Sequence, residues 1–581
     1  MSILKSLKED LKKILKESGY EEDNIIFTVS QRKDLGDYQL NDAMSLAKKY
    51  HENPKEIAEK ITETMKKDDR FTNINIAGPG FINFSLTDKY LIDSLNKIID
   101  NFENNIDKEK KKKIFMDYGG ANIAKTLHVG HLRSANIGEG VKRLARSLGY
   151  DVISDVHFGD IGRQSGMVIK EIKEEHPNLP YFDENYKGDY SEVDFKITSD
   201  DLGRIYPLAN KKAKEDEENM KEVVEITRQL EEGNRGYNAL WNKIKEVSIE
   251  DIKGVYKEIN TTFDLYEGES DCYPYIPEVL DYLRKNNYLR KSEDAEVIDV
   301  KEESDKEPMP PLVVVKSNGG ALYATRELAT LYSRIKRFNP DEIWYFTDMR
   351  QALYFEQVFR AAKKTKLVGE DTYLGFYGFG TMNGEDGKPF KTRDGGIMSL
   401  KELINIMTEK TKERINRDIV EEDKVDETAR KIGIAALKYA DLIPYRETDY
   451  IFNPENFTSL DGKTGPYLLY SVIRMRSLLS KSDIKDAKMK KLNGKEDRKV
   501  MLEILNLPDA LTKSLKIKSL NELTDYIYRL TSAYNSFYNS NIILKEEDSA
   551  LKESWLALTK LVYDTNMYIL NIIGLDVPEK M

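Results

Sequence analysis

Between Lys113 and Val156 the chain reads as strand, glycine-rich turn, helix and strand: KIFMDY, then GGANIAKTLHVG, a helix to about Leu148, and DVISDV. Apolar strands that alternate with helices in this way bury both faces only as a parallel sheet with helices packed on either side. A doubly wound, Rossmann-like domain is therefore predicted here. The strand signals return at PLVVVK (311–316) and EIWYFT (342–347), after a polar helical stretch rich in Glu and Lys that begins near residue 180. That stretch reads as a helical insertion within one α/β domain, reaching to about residue 290.

With 581 residues the chain is too long for one small fold. Residues 1–108 read as a separate small α/β unit. Ile3, Leu4, Leu7, Leu11, Ile14 and Leu15 share one helical face, which marks a packing helix rather than a signal or transit peptide, and FTNINIAGPGFINFSL reads as two strands around Gly78-Pro79-Gly80. From about residue 400 the apolar spacing is almost wholly helical, and residues 461–581 are expected to form a helical bundle. The catalytic unit is placed at 109–460. No uncharged apolar run approaches the roughly 18 residues a membrane span needs. A single cysteine, Cys272, makes an intramolecular disulfide impossible, and the reducing cytoplasm is the expected compartment. The net charge of -11 excludes a chain coated in positive potential but leaves room for a local basic face.

The strongest chemical signal is His128-Val129-Gly130-His131, set where the glycine loop enters the helix. Two imidazoles three residues apart in a first helical turn project to one side, beside unpaired backbone N–H groups and the positive end of the helix dipole. An anion belongs there. A metal site would want a third ligand, which His157 could supply, yet no carboxylate stands at metalloprotease spacing. A solvent-facing helix start is the remaining bland alternative.

The stretch MDYGGANIAKTLHVGHLRSANIGE resembles the HIGH-motif region of class I aminoacyl-tRNA synthetases, and specifically of the arginyl-tRNA synthetase family. Further blocks in the family's order are DVHFGDIGRQSGM, FDLYEGES, ALYATRELA, IWYFTDMRQALYFEQVF, GKPFKTRDGG, DGKTGPYLLYSVIRMRSLL and the final VPEKM. NDAMSLAK with AGPGFINF resembles the family's added amino-terminal tRNA-binding domain. The resemblance implies an arginine–tRNA ligase that uses ATP and Mg2+, takes arginine and tRNA(Arg), works as a monomer away from any membrane, and carries an anticodon-binding helical bundle.

It also assigns roles. Asn122, His128, Gly130 and His131 would bind ATP and stabilise the transition state, with Lys391 and Arg393 in a closing loop at 387–396. The family's Lys-Met-Ser-Lys-Ser pattern is missing from that loop, and Lys125, ahead of the HIGH motif, occupies the place of a compensating lysine. Asp117, Gly120, Asn122, His128, Tyr323, Glu327 and Gln351 would hold arginine; no metal ligands are assigned. The chain departs from the family at Glu327, one methylene longer than the usual Asp, at Gly119-Gly120-Ala121 for Ser-Ser-Pro, at Ile161 for Trp and at Tyr354 for His. Residues 471–500 hold ten Lys or Arg against four Asp or Glu, a candidate phosphate-contacting stripe. Tyr526, Tyr528, Tyr534, Phe537, Tyr538 and Met581 are candidate base-stacking groups, most of them expected in the core. The rival readings are a class I nucleotidyltransferase for another substrate and a catalytically silent RNA-binding paralogue.

Overall fold

A computed structural model describes residues 2–30, 32, 34–108, 112–293, 295–315, 323–388 and 398–581. The amino-terminal unit begins with the helix Ile3–Glu17, capped by the Ser2 side chain, which buries Leu4, Leu7, Leu11, Ile14 and Leu15. Its sheet contains the two expected strands, β3 (Phe71–Ala77) and β4 (Phe81–Leu86). Two more, β1 (Phe27–Val29) and β2 (Tyr38–Leu40), complete an antiparallel sheet in the order β1-β2-β4-β3. The added strands are three residues each, too short to show an alternation in sequence.

The predicted parallel sheet is present, with order β11-β10-β5-β6 for β5 (Lys113–Tyr118), β6 (Asp151–Asp155), β10 (Glu342–Phe346) and β11 (Tyr373–Phe376). Ile114, Phe115 and Met116 are all fully buried, as a central strand covered on both faces requires. The helix Val129–Ser147 covers one face. At Gly138 a β-carbon would lie 2.3 Å from the Tyr118 ring, so only glycine lets the helix approach this closely. The helices Tyr323–Phe338 and Ala352–Lys364 cover the other face.

PLVVVK does not extend this sheet. Leu312–Val315 is strand β9 of a separate three-stranded antiparallel sheet with β7 (Arg290–Ser292) and β8 (Ala295–Ile298). An apolar run of this length fits either kind of sheet, and the sequence carries no signal that chooses between them. The insertion is helical as expected, with helices Ser199–Glu215, Glu217–Glu231 and Arg235–Glu258.

The carboxyl-terminal region contains the helices Gly465–Ser480, Lys495–Leu505, Leu507–Ile517, Asn521–Ser540 and Ser549–Ile572. Tyr526, Tyr534 and Phe537 are buried in it, while Tyr528, Tyr538 and Met581 are half-buried. The bundle also grips the helix Val129–Ser147. Arg143 donates to the Asn571 carbonyl at 2.9 Å, and a β-carbon on Gly140 would overlap Leu520. Nearer its start, that helix is tied to the preceding helix Val425–Leu442, where Asn136 donates to Asp441 at 2.9 Å and to the Lys438 carbonyl at 3.0 Å.

Candidate active site

In the sheet order, β5 connects outward to β6 while β10 lies parallel on its other side, so the winding of successive strands across the sheet reverses between β5 and β10. Beyond the carboxyl ends of two such strands the diverging loops leave a crevice, the usual ligand position in open α/β sheets. A cleft of about 440 Å³ lies there, within the range of small-molecule sites. Gly119 and Gly120, both at positive φ (97° and 52°), turn the chain away from β5 along its floor.

At one end stand the two histidines. Nδ1 of His128 accepts from the Gly130 backbone N–H at 3.1 Å, and Nδ1 of His131 accepts from the His128 backbone N–H at 3.0 Å. This reciprocal cap satisfies helix N–H groups that would otherwise be orphaned, and it assigns the proton of each neutral ring to Nε2. Burial, then the neighbouring charges of His128 and Lys125, push His131 down to about 3; the Gly120 carbonyl acts weakly in the opposite direction. Burial and Lys125 lower His128 as well. Both imidazoles therefore stay neutral at physiological pH with the proton on Nε2, and in His131 that N–H also meets the Gly120 carbonyl.

The other end is built on a row across three strands. Tyr345, Asp117 and Asp155 are register partners on β10, β5 and β6, so their side chains emerge on the same face. Over that row lies Arg334, almost wholly buried, donating to Asp117 Oδ2 at 2.6 Å, Asp155 Oδ2 at 3.2 Å and Tyr345 Oη at 3.0 Å. Tyr345 donates in turn to Glu327 Oε1 at 2.8 Å. Nearby, Arg326 pairs with Glu269 at 3.2 Å and its guanidinium lies 4.5 Å from the centre of the Tyr323 ring. Burial raises both Glu327 and Glu269, against the pull of the adjacent cations.

Asp155 also meets His157 Nδ1 at 3.3 Å. Burial, and to a lesser degree the Arg334 charge, would lower His157, but the hydrogen bond to Asp155 and the charges of Asp117 and Asp155 together outweigh them and the ring is raised to about 9. A histidine whose folded pKa lies above its unfolded value near 6.5 adds stability that is complete below that value and lost as pH rises through about 9. The thermal midpoint of the wild type is therefore expected to exceed that of His157→Asn at pH 6 and to converge with it by about pH 10. Asn suits the left-handed backbone there (φ 44°), so a constant gap across that range would refute the ion pair.

Of the residues singled out in the sequence, Asp117, Gly120, Asn122, His128, Gly130 and His131 line this one cleft, together with Tyr323, Glu327 and Gln351. Asp117 is engaged by Arg334, and Lys125 does not line the cleft, its ammonium resting 4.8 Å from the centre of the Tyr206 ring in the insertion. Lys391 and Arg393 lie outside the described residues. Farther along the chain, Ser399 forms an antiparallel bridge with His128. In the basic stretch, Lys488, Lys490 and Lys491 pair with Asp100, Glu553 and Asp548.

Sequence reading missed Arg334, Tyr345, Arg326 and Glu269. Arg334 was findable, since it follows Tyr323 and Glu327 at helical spacing on the same face. Tyr345 was not, because a tyrosine inside an apolar strand reads as core.

Comparison with known proteins adds a second line. Residues 1–86 match the arginyl tRNA synthetase N-terminal domain, residues 94–454 the family described as tRNA synthetases class I (R), catalytic domain, and residues 468–581 the DALR anticodon binding domain. The chain is 42% identical over 585 residues to an arginine–tRNA ligase of Alkaliphilus oremlandii, and 40% identical over 599 residues to one of Agathobacter rectalis, with 100% of each chain covered in both cases. Among solved structures, arginyl-tRNA synthetase from Plasmodium falciparum aligns with TM-score 0.81 at 27% identity over 99% of both chains. Thermus thermophilus arginyl-tRNA synthetase shares the fold, with TM-score 0.80 at 19% identity over 100% of both.

Proposed function

The chain belongs to the arginyl-tRNA synthetase family and is an arginine–tRNA ligase, and from that premise we propose how its own residues divide the work. The enzyme joins arginine to ATP and passes the arginyl group to tRNA(Arg). In the first step a carboxylate oxygen of arginine bonds to the α-phosphorus of ATP as the bond to the β-phosphate oxygen breaks, releasing pyrophosphate. In the second, a ribose hydroxyl of the terminal adenosine attacks the arginyl carbonyl and AMP leaves. Neither step needs a strong base; both need charge stabilised on phosphate oxygens and reactants held in line.

His128 and His131 offer Nε2–H donors to the α-phosphate beside the helix amino terminus, with Asn122 and the backbone at Gly120 and Gly130 completing the nucleotide end. Glu327 and Tyr323 take the guanidinium, and Asp117 and Gln351 take the α-amino group. Lys391 and Arg393 neutralise the departing pyrophosphate, and Lys125 would have to leave the Tyr206 ring to assist them. Magnesium would enter with the nucleotide, as MgATP, held largely by the phosphates themselves. Residues 1–108 and 461–581 contact tRNA, with 109–460 as the catalytic unit. The working unit in this reading is a monomer. Its setting is the cytoplasm; none of the described helices is long and apolar enough to cross a membrane.

The observation that carries this reading is the cleft's polarity. Two neutral imidazole donors stand at one end. At the other, among the described residues, the carboxylates Asp117, Asp155, Glu269 and Glu327 stand with Arg326, Arg334 and His157, an acid-rich end that suits a substrate guanidinium. Pyrophosphate exchange assayed with each of the twenty amino acids, with and without tRNA, is expected to respond to arginine alone. Exchange driven only by a neutral amino acid would remove the assignment.

A further inference from the structure

We infer that Tyr345, oriented by Arg334, is a positioning residue for arginine selection: its hydroxyl fixes one oxygen of Glu327 and thereby sets where the other oxygen meets the substrate's guanidinium. This rests on the assignment of Glu327 to the guanidinium.

The direction of the relay follows from what each group can do. A guanidinium only donates hydrogen bonds. With Arg334 Nη1 at 3.0 Å, the Tyr345 oxygen must accept from it, and the hydroxyl hydrogen is left to point at Glu327 Oε1, 2.8 Å away. The relay therefore has one polarity, and a carboxylate acceptor is what completes it.

Its components are held. Arg334 is pinned by Asp117 and Asp155 and lies 4.5 Å from the centre of the Phe115 ring. The Tyr345 ring is wedged against Phe355 and Phe359, with centroids 4.8 and 5.6 Å apart. Among the described residues Tyr345 is the one hydrogen-bond partner of the Glu327 carboxylate.

The need for such a clamp comes from the side chain itself. Glutamate has one more rotatable bond than aspartate, and a carboxylate that wanders among rotamers is a poor partner for a planar fork, which requires a fixed angle as well as a charge. Tying Oε1 to a rigid strand removes that freedom before the substrate arrives, and preorganisation of this kind is read in affinity. Arg334 also holds Asp117, so one buried guanidinium sets the spacing between the carboxylates proposed for the two ends of the amino acid.

The test is steady-state kinetics of the full-length enzyme carrying Tyr345→Phe, which removes a single oxygen. The expected result is a rise of about tenfold in KM for arginine, with kcat within about twofold and KM for ATP unchanged. In the Glu327→Ala background, which leaves no oxygen for the Tyr345 hydroxyl to hold, the same change is expected to add nothing further. Arg334→Lys, which keeps the charge but cannot fork to Asp117 and Tyr345 together, is expected to reproduce the rise. An unchanged KM in Tyr345→Phe, or an equal loss in both backgrounds, overturns the inference while leaving the role of Glu327 intact. If Glu327→Gln itself leaves KM for arginine unchanged, the underlying assignment fails instead.

Discussion

His131→Ala is expected to lower kcat for arginine activation by about a hundredfold and to leave tRNA affinity within about twofold, the scale seen when one preorganised donor to a developing oxyanion is removed. The ring is buried at the start of the helix Val129–Ser147, its Nδ1 is spent on the His128 backbone, and its low pKa keeps it neutral. What it offers at physiological pH is thus one Nε2–H in a low-dielectric cleft, where such a donor is worth most. Because that neutrality persists down to about pH 3, protonation of His131 should not produce the acidic limb of the wild-type pH–rate profile. Pyrophosphate exchange and tRNA binding measured on the same variant decide the matter. Unchanged turnover would contradict the role.

Glu327→Gln is expected to act on the other substrate. It preserves size and the contact with Tyr345 but removes the negative charge that a guanidinium would balance. Losing one partner of a buried charged pair costs about 2–5 kcal/mol, so KM for arginine should rise at least about thirtyfold while KM for ATP stays near wild type. Equal losses in both Michaelis constants would instead show that the cleft had collapsed.

How much of this was legible beforehand depended on whether a feature is local. The strand-loop-helix unit around His128 was, because its apolar runs, glycines and capping residues lie within one stretch of chain. The helices of the carboxyl third were legible too, since a 3.6-residue period needs no partner to be seen. β1 and β2 were not, being shorter than any detectable alternation, and PLVVVK could not announce that its neighbours would be β8 and the short antiparallel sheet. In the site, the histidines and the Tyr323–Glu327 pair were read from spacing and resemblance. The row Tyr345, Asp117 and Asp155 exists only once β10, β5 and β6 are in register, so no window of sequence contains it. The engagement of Asp117 by Arg334 is of the same kind: partners separated by more than two hundred positions meet only after folding.

The helix that begins at the paired histidines ends under Arg143, whose guanidinium reaches the Asn571 carbonyl, and midway along it Gly140 lies against Leu520. An excised catalytic half would therefore lose the far wall of the very segment that aims its imidazoles, exposing a flank that is buried in the intact chain. Attempts to cut this ligase into independent modules should yield fragments that misplace their chemistry, whereas exchanging the entire carboxyl-terminal assembly for one of matching contour need not.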